Sequence, residues 1–172
     1  MASSDGPLKS ELILDELKQR QRSRDVVDVE EERVKVMIFV CGGSRYAFYG
    51  CDIREILSGC DISWVPGLPD YLPGLINVRG DIESVIDIGY FLGVEKADLG
   101  SGLIAMAVHD DFRSGVMIDA IDDVVDIPKS ALQPPLSTLG GSVRDLVAGE
   151  IDHRGETITL LDIEKLAARI AL

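Results

Sequence analysis

From Arg33 onward the apolar residues alternate with the two-residue period of a β-strand. Val34, Val36, Ile38 and Val40 fall on one face and Lys35, Met37 and Phe39 on the other. Gly42-Gly43-Ser44 then turns the chain into Tyr46 to Tyr49, which predicts a β-hairpin. Leu75 to Val78 and Ile82 to Ile86 read as two strands joined at Arg79-Gly80, with Gly80 supplying the positive φ of a tight turn. Strands are also predicted over Leu103 to Val108, Gly115 to Ile118, Val124 to Ile127, Leu146 to Ile151 and Thr157 to Leu161, the last two joined at Arg154-Gly155. Helical spacing occurs at the two ends. Leu8, Leu12, Ile13, Leu14 and Leu17 predict a short amphipathic helix followed by a charged linker to residue 32, and Asp162 to Ile170 predicts a closing helix. Asp52 with Glu55 three positions on has the spacing of a capping box, so a single helical turn ending at Gly59 is expected there. Pro66, Pro69 and Pro73 force an extended, irregular segment after it.

The second Arg-Gly hairpin repeats the first. Gly74 to Ile88 and Gly149 to Ile163 agree at Gly74/Gly149, Ile76/Ile151, Arg79/Arg154, Gly80/Gly155, Asp87/Asp162 and Ile88/Ile163. A weaker echo pairs Ile53-Arg-Glu-Ile56 with Ile121-Asp-Asp-Val124, after the apolar runs Ala47-Phe48-Tyr49 and Gly115-Val116-Met117. One supersecondary unit is therefore used twice. Two copies are too few for a solenoid, so two small modules about a pseudo-two-fold are expected. Short strands, glycine turns and few helices make the chain all-β, of the barrel or sandwich kind.

Composition narrows the function. With 172 residues and 46% apolar content the chain can build a real core. The pattern divides it into an extension, 1–32, and a domain, 33–172, with halves of about 33–94 and 95–172. A net charge of -13 opposes nucleic acid and anionic membrane surfaces as partners. No apolar run approaches the roughly 18 residues of a membrane span, and the mixed charges of the first residues do not make a signal peptide. A cytoplasmic protein without direct membrane insertion is expected. Cys41, Cys51 and Cys60, odd in number and widely spaced, read as reduced, partly buried thiols.

The tests for chemistry come out negative. His109 and His153 are the only histidines, and neither has a partner at zinc-ligand spacing. Asp110, Asp111, Asp119, Asp122, Asp123 and Asp126 lack the order of a calcium loop and read as a solvated acidic face. No nucleophile elbow or phosphate loop is present. Arg79-Gly80-Asp81 looks like an adhesion tripeptide, but Arg154-Gly155-Glu156 shows that the shared requirement is a turn. With no catalytic, cofactor or metal set in view, a binding module is expected; an enzyme using the acidic face or a thiol is the rival.

The order of these signals resembles the CheW family of bacterial chemosensory adaptors. The resemblance rests on Tyr46 to Ile56, on Val65 to Gly80 with its prolines before Gly-x-x-Asn-x-Arg-Gly, on Val85 to Ile88, on Gly115 to Val124 and on Gly149 to Leu161. The chain departs from the family pattern at Ser84 and Gly89, where proline and arginine are usual, and in its long extension. The resemblance implies two pseudo-symmetric five-stranded SH3-like β-barrels packed together around a shared apolar core, with short helices. It implies a non-enzymatic adaptor, without cofactor, that joins a CheA-type histidine kinase to the cytoplasmic hairpin of a methyl-accepting chemoreceptor. A CheW-like scaffold for a non-chemotactic histidine-kinase pathway is the alternative. By the same analogy Ile53, Glu55, Asn77, Arg79, Ile121 and Val124 face the receptor, and Trp64, Val65 and Leu68 face the kinase. Read from the residues alone, Ile53, Ile121 and Val124 fit a core equally well, Asn77 can simply shape its turn, and Trp64 fits core packing slightly better.

Because the repeat lies wholly beyond Arg33, deleting residues 1–24 is expected to leave a cooperative unfolding transition, with stability changed by less than about 1 kcal/mol. Urea denaturation of the truncated chain checks this, and loss of the transition would move the boundary.

Overall fold

Strands whose two faces are both apolar need cover on both sides, and the runs Met37-Ile-Phe-Val-Cys41, Leu103 to Val108 and Gly115 to Ile118 impose that need on the middle of each half. The computed structural model describes residues 9–27, 31–95 and 102–170. The chain separates into two units, Met1–Glu32 and Arg33–Leu172.

In the first unit, α1 (Lys9–Val27) is longer than the sequence pattern predicts. It continues through Lys18, Gln19 and Arg20, all good helix formers, and Glu16 stands four residues before Arg20, the order that supports an exposed helix. Leu12, Ile13, Leu14 and Leu17 are all exposed. At about 100° per residue Leu12 falls off the face shared by the other three, so the helix is not the one-sided amphipath expected. Leu8 lies outside the described residues.

In the second unit the strands are β1 (Arg33–Cys41), β2 (Ser44–Tyr49), β3 (Ile53–Ser58), β4 (Gly74–Val78), β5 (Asp81–Asp87), β6 (Leu103–His109), β7 (Phe112–Ile118), β8 (Ala120–Pro128), β9 (Val147–His153) and β10 (Glu156–Leu161). The helices are α2 (Ile88–Leu92), α3 (Gly141–Arg144) and α4 (Ile163–Ile170), with 3-10 turns at Gly50–Asp52 and Lys129–Ala131. One five-stranded sheet has the order β8-β1-β2-β10-β9 and the other β3-β6-β7-β5-β4.

Moving every strand five places along the chain, and counting from β10 on to β1, converts the first order into the second. The central hairpin of each sheet comes from one repeat, and the third strand and Arg-Gly hairpin come from the other. The registers agree as well. In one sheet Leu160 lies beside Ala47 and Leu161 beside Phe48, in parallel; in the other the equivalent Val85 lies beside Gly115 and Ile86 beside Val116. The sheets thus cut across the halves 33–94 and 95–172, each drawing strands from both.

Alternation along the central strands sorts the core into three parts. Val36, Ile38, Ala47, Ile151, Ile158 and Leu160 fill one sheet's interior, and Ile76, Val78, Val85, Ile104, Met106 and Met117 fill the other's. The intervening residues, among them Met37, Phe39, Phe48, Ile86, Ala105, Val116 and Leu161, join α2 and α4 in a shared core between the sheets. Phe39 and Phe48 stack there at 4.6 Å.

The helical turn expected over residues 52–59 is instead the strand β3. Its backbone pairs with β6, Ile53 opposite Ala107 and Leu57 opposite Ile104, and its apolar side chains gain more from that sheet than a single turn could offer. The Asp52 carboxylate, free of capping duty, meets His109 Nδ1 at 3.0 Å.

Each pair of identical positions now has a physical cause. Ile76, Ile151, Ile88 and Ile163 are buried. Asp87 Oδ1 accepts from Gly89 N at 3.0 Å and Asp162 Oδ1 from Glu164 N at 2.8 Å, so each aspartate caps the helix that follows its hairpin. Gly74 is crossed by the backbone of Ser63 and Gly149 by that of Gln133, whose carbonyl oxygen lies 2.6 Å from where a Cβ would sit. Both crossing segments are pinned by paired backbone hydrogen bonds, Ser63 with Leu75 and Gln133 with Glu150. Gly80 and Gly155 have φ of +92° and +79°.

Gly74→Ala and Gly149→Ala are each expected to cost about 1–3 kcal/mol, because a pinned carbonyl cannot retreat from the new methyl group. Gly80→Val and Gly155→Val are expected to cost roughly 1–3 kcal/mol through backbone strain. Urea midpoints measure all four, and loss at only one member of a pair would break the equivalence of the repeats.

Candidate functional site

The candidate site is built on the first Arg-Gly hairpin. Val78 pairs with Asp81, and the two residues between them, Arg79 and Gly80, both have positive φ, +51° and +92°. This is the two-residue turn whose twist matches the strands it joins. Asn77 Oδ1 accepts from Gly80 N at 2.8 Å and so fixes the turn, which gives Asn77 the shaping role open to it from the sequence. Arg79 then donates both terminal nitrogens to Glu55, Nη1 to Oε1 at 3.1 Å and Nη2 to Oε2 at 2.7 Å.

Glu55 lies on β3 and Arg79 follows β4, the two outer strands of one sheet, so the ion pair joins the edges at the rim of the barrel. A register shift at Arg54 sets Ile53 opposite Ala107 and Ile56 opposite Ala105. Ile53 and Ile56 consequently both pack, half buried, on the shared core, while Glu55 is free to reach Arg79. The Arg79 side chain remains 78% exposed and that of Glu55 18%. The result is a guanidinium held in place by a rigid turn and a bidentate partner, yet open to solvent.

The other repeat carries a counterpart. Arg154, with φ +50°, donates to Asp123 Oδ2 at 3.1 Å, and Asp123 stands where Glu55 stands in the echo. Here too the pair links outer strands, β8 with the β9–β10 turn. Asp123 Oδ1 also accepts from Val124 N at 2.9 Å. His153 takes the place of buried Val78; its Nε2 lies 3.2 Å from Asp123 Oδ2 without hydrogen-bond alignment. A matching register shift sets Ile121 opposite Phe39 and Val124 opposite Met37, so the two share a side of β8. They are 37% and 53% exposed, unlike Ile53 and Ile56.

The structure therefore brings Ile53, Glu55, Asn77 and Arg79 together on one sheet and sets Ile121 and Val124 on the outer strand of the other. Trp64 is 74% exposed, so the core packing that fits the residue slightly better from sequence is not what the fold gives it; Val65 and Leu68 beside it are half buried. Sequence reasoning missed the second ion pair, although the echoes Glu55/Asp123 and Arg79/Arg154 carry its signal when combined. It also missed a groove of about 890 Å³ lined by Tyr46, Leu92, Leu139 and Val143 with Arg45 and Glu156.

The thiols of Cys41 and Cys51 are both held toward their protonated form. Burial, aided by Asp119 and Asp87, pushes the Cys41 thiol up to about 12. Desolvation and then Asp52 raise that of Cys51 as well. Among the described residues no three His, Cys, Asp or Glu side chains converge as a metal site, and no described helix is long and apolar enough to cross a membrane.

Two interleaved five-stranded sheets, each with an ion pair between its outer strands, define a pseudo-symmetric double β-barrel. The chain belongs to the CheW-like domain family, whose model matches residues 35–171. It is 25% identical to chemotaxis protein CheW of Treponema pallidum over 80% of this chain and 84% of that one. It is 24% identical to chemotaxis protein CheW of Helicobacter pylori over 89% and 94%, and 25% identical to protein PilI of Pseudomonas aeruginosa over 67% and 65%. The fold is that of the scaffolding protein TtCheW from Thermoanaerobacter tengcongensis, with a TM-score of 0.68 and 23% identity over 76% of this chain and 90% of that one.

Exposed ion pairs contribute little to stability, so Arg79→Ala and Arg154→Ala are each expected to change it by less than about 1 kcal/mol. Thermal denaturation checks this; a larger loss at either site would make that pair part of the fold's framework.

Proposed function

We propose that this protein is a non-enzymatic cytoplasmic adaptor that couples the cytoplasmic hairpin of a methyl-accepting chemoreceptor to a CheA-type histidine kinase. The observation that carries the reading is the Arg79–Glu55 pair, which presents an oriented, mostly exposed arginine whose partner strand also carries the half-buried Ile53 and Ile56. Arginine flanked by apolar surface is a common anchor for a helix laid in a groove. Membership of the CheW-like family and the similarity to proteins named for chemotaxis support the signalling context. In this reading Ile53, Glu55, Asn77 and Arg79 take the receptor, with Ile121 and Val124 contributing from the second sheet. Trp64, exposed as a recognition tryptophan would be, contacts the kinase together with Val65 and Leu68.

A second reading is a scaffold for a histidine-kinase pathway with another output, since not every relative that the chain resembles carries a chemotaxis name. Co-sedimentation with receptor-containing membranes, with and without the cognate kinase, separates the two.

Arg79→Ala is expected to weaken receptor binding by about 1–2 kcal/mol, the range of a modest hot spot, while the melting temperature stays nearly unchanged. Unchanged affinity in a titration with the receptor hairpin would remove Arg79 from the interface.

A further inference from the structure

We propose that His109 is a proton-operated latch between the end of β6 and the first turn of α4, closed when both ring nitrogens carry protons and released when Nε2 loses its own. His109 is the last residue of β6, and three carboxylates from three different segments face its ring. Asp52, in the 3-10 turn before β3, lies 3.0 Å from Nδ1. Asp110, in the turn after β6, lies 3.8 Å from Nε2, and Glu164, in the first turn of α4, lies 3.7 Å from Nε2. The nearby cation on α4, Lys165, directs its ammonium to the Val147 carbonyl at 2.7 Å and does not compete.

The two nitrogens have unequal partners, and that inequality decides how the latch works. Asp52 is buried and accepts at hydrogen-bond distance, so the Nδ1 proton is held in both states of the ring. The proton that leaves is the one on Nε2. Loss of it puts a lone pair opposite two carboxylates and turns an attraction into a repulsion. The consequence falls on α4, which buries Ile163 and Leu166 in the shared core against which Ile53 and Ile56 of β3 pack.

The environment sets the direction of the pH dependence. The hydrogen bond to Asp52 raises the His109 pKa from its ordinary value of 6.5, desolvation opposes it, and the charges of Asp52, Asp110 and Glu164 add to the rise. A raised folded-state value means that the latch stabilises fully below about 6.5 and is lost as pH climbs through the higher folded value. The group that Asp52 serves is wider than the histidine alone, since its charge also helps to raise the Tyr49 phenol and the Cys51 thiol.

Nuclear magnetic resonance on the full chain, from about pH 5.5 to about 9 across the ordinary histidine range, tests the latch. The expected result is a His109 midpoint above 6.5, a neutral ring protonated at Nδ1, and backbone amides of Glu164 and Lys165 that move with the same midpoint. Hydrogen exchange in α4, corrected for the intrinsic base-catalysed rate, is expected to rise several-fold above that midpoint. Glu164→Gln should lower the midpoint and flatten the amide response, and His109→Gln should abolish the response. Glu164 is exposed, so its variant carries the test if His109→Gln does not fold. A midpoint at or below 6.5, a neutral ring protonated at Nε2, or α4 amides indifferent to the titration would each overturn the proposal.

Discussion

Parallel pairing of β2 with β10 and of β5 with β7 is the constraint on which the rest of the molecule depends. Each of these ladders is short, and each is the seam at which the Arg-Gly hairpin of one repeat enters the sheet of the other, while the antiparallel pairs β1–β8 and β3–β6 form the second seam of each sheet. A parallel neighbour cannot be reached by a tight turn, so the chain must complete long excursions before either seam forms. Once formed, the seams bury both faces of the central hairpins, and the apolar runs of β1, β6 and β7 make sense only in that setting. The capped helices α2 and α4 begin where β5 and β10 end, so their placement in the shared core follows from the same two ladders.

The candidate site inherits its geometry from the closure of the sheets. Outer strands in a five-stranded sheet leave unpaired backbone, and small proteins manage such edges by closing, bulging or charging them. All three devices coincide here. The register shifts in β3 and β8 kink the outer strands, and the Arg79–Glu55 and Arg154–Asp123 pairs tie them across to the turns. The proposed recognition residues are thus ones that already have a geometric reason to be there. The two copies then differ in detail: Glu55 gives its whole carboxylate to arginine, while Asp123 divides its oxygens between Arg154 and the backbone of Val124.

Much of this was legible in the residues because its causes are local. The period of two, the Arg-Gly turns and the repeated Gly, Ile, Asp and Ile positions reflect strand faces, positive φ, close crossings and helix caps, all of which act over a few residues. What was not legible depends on partners distant in the chain. The capping-box spacing at Asp52 misled because β6, some fifty residues on, offered β3 a sheet. The strand exchange itself leaves no local mark, since Ile86 would be buried equally well beside its own repeat's strands. Glu55 and Arg79 could be singled out as candidates, but the arrangement around His109 draws on Asp52 and Glu164, and no spacing announces it.

The cyclic order of the strands says something about ancestry and assembly as well as shape. A polypeptide containing one repeat would hold a central hairpin, a lone strand and an Arg-Gly hairpin, but could not by itself build either observed sheet, which sets the last two beside the central hairpin of the other repeat. Two such polypeptides could do so by exchanging them, and each would end up with the other's hairpin sewn into its sheet. The present chain is in this sense a domain-swapped dimer whose subunits have been joined end to end, with the segment between α2 and β6 as the suture.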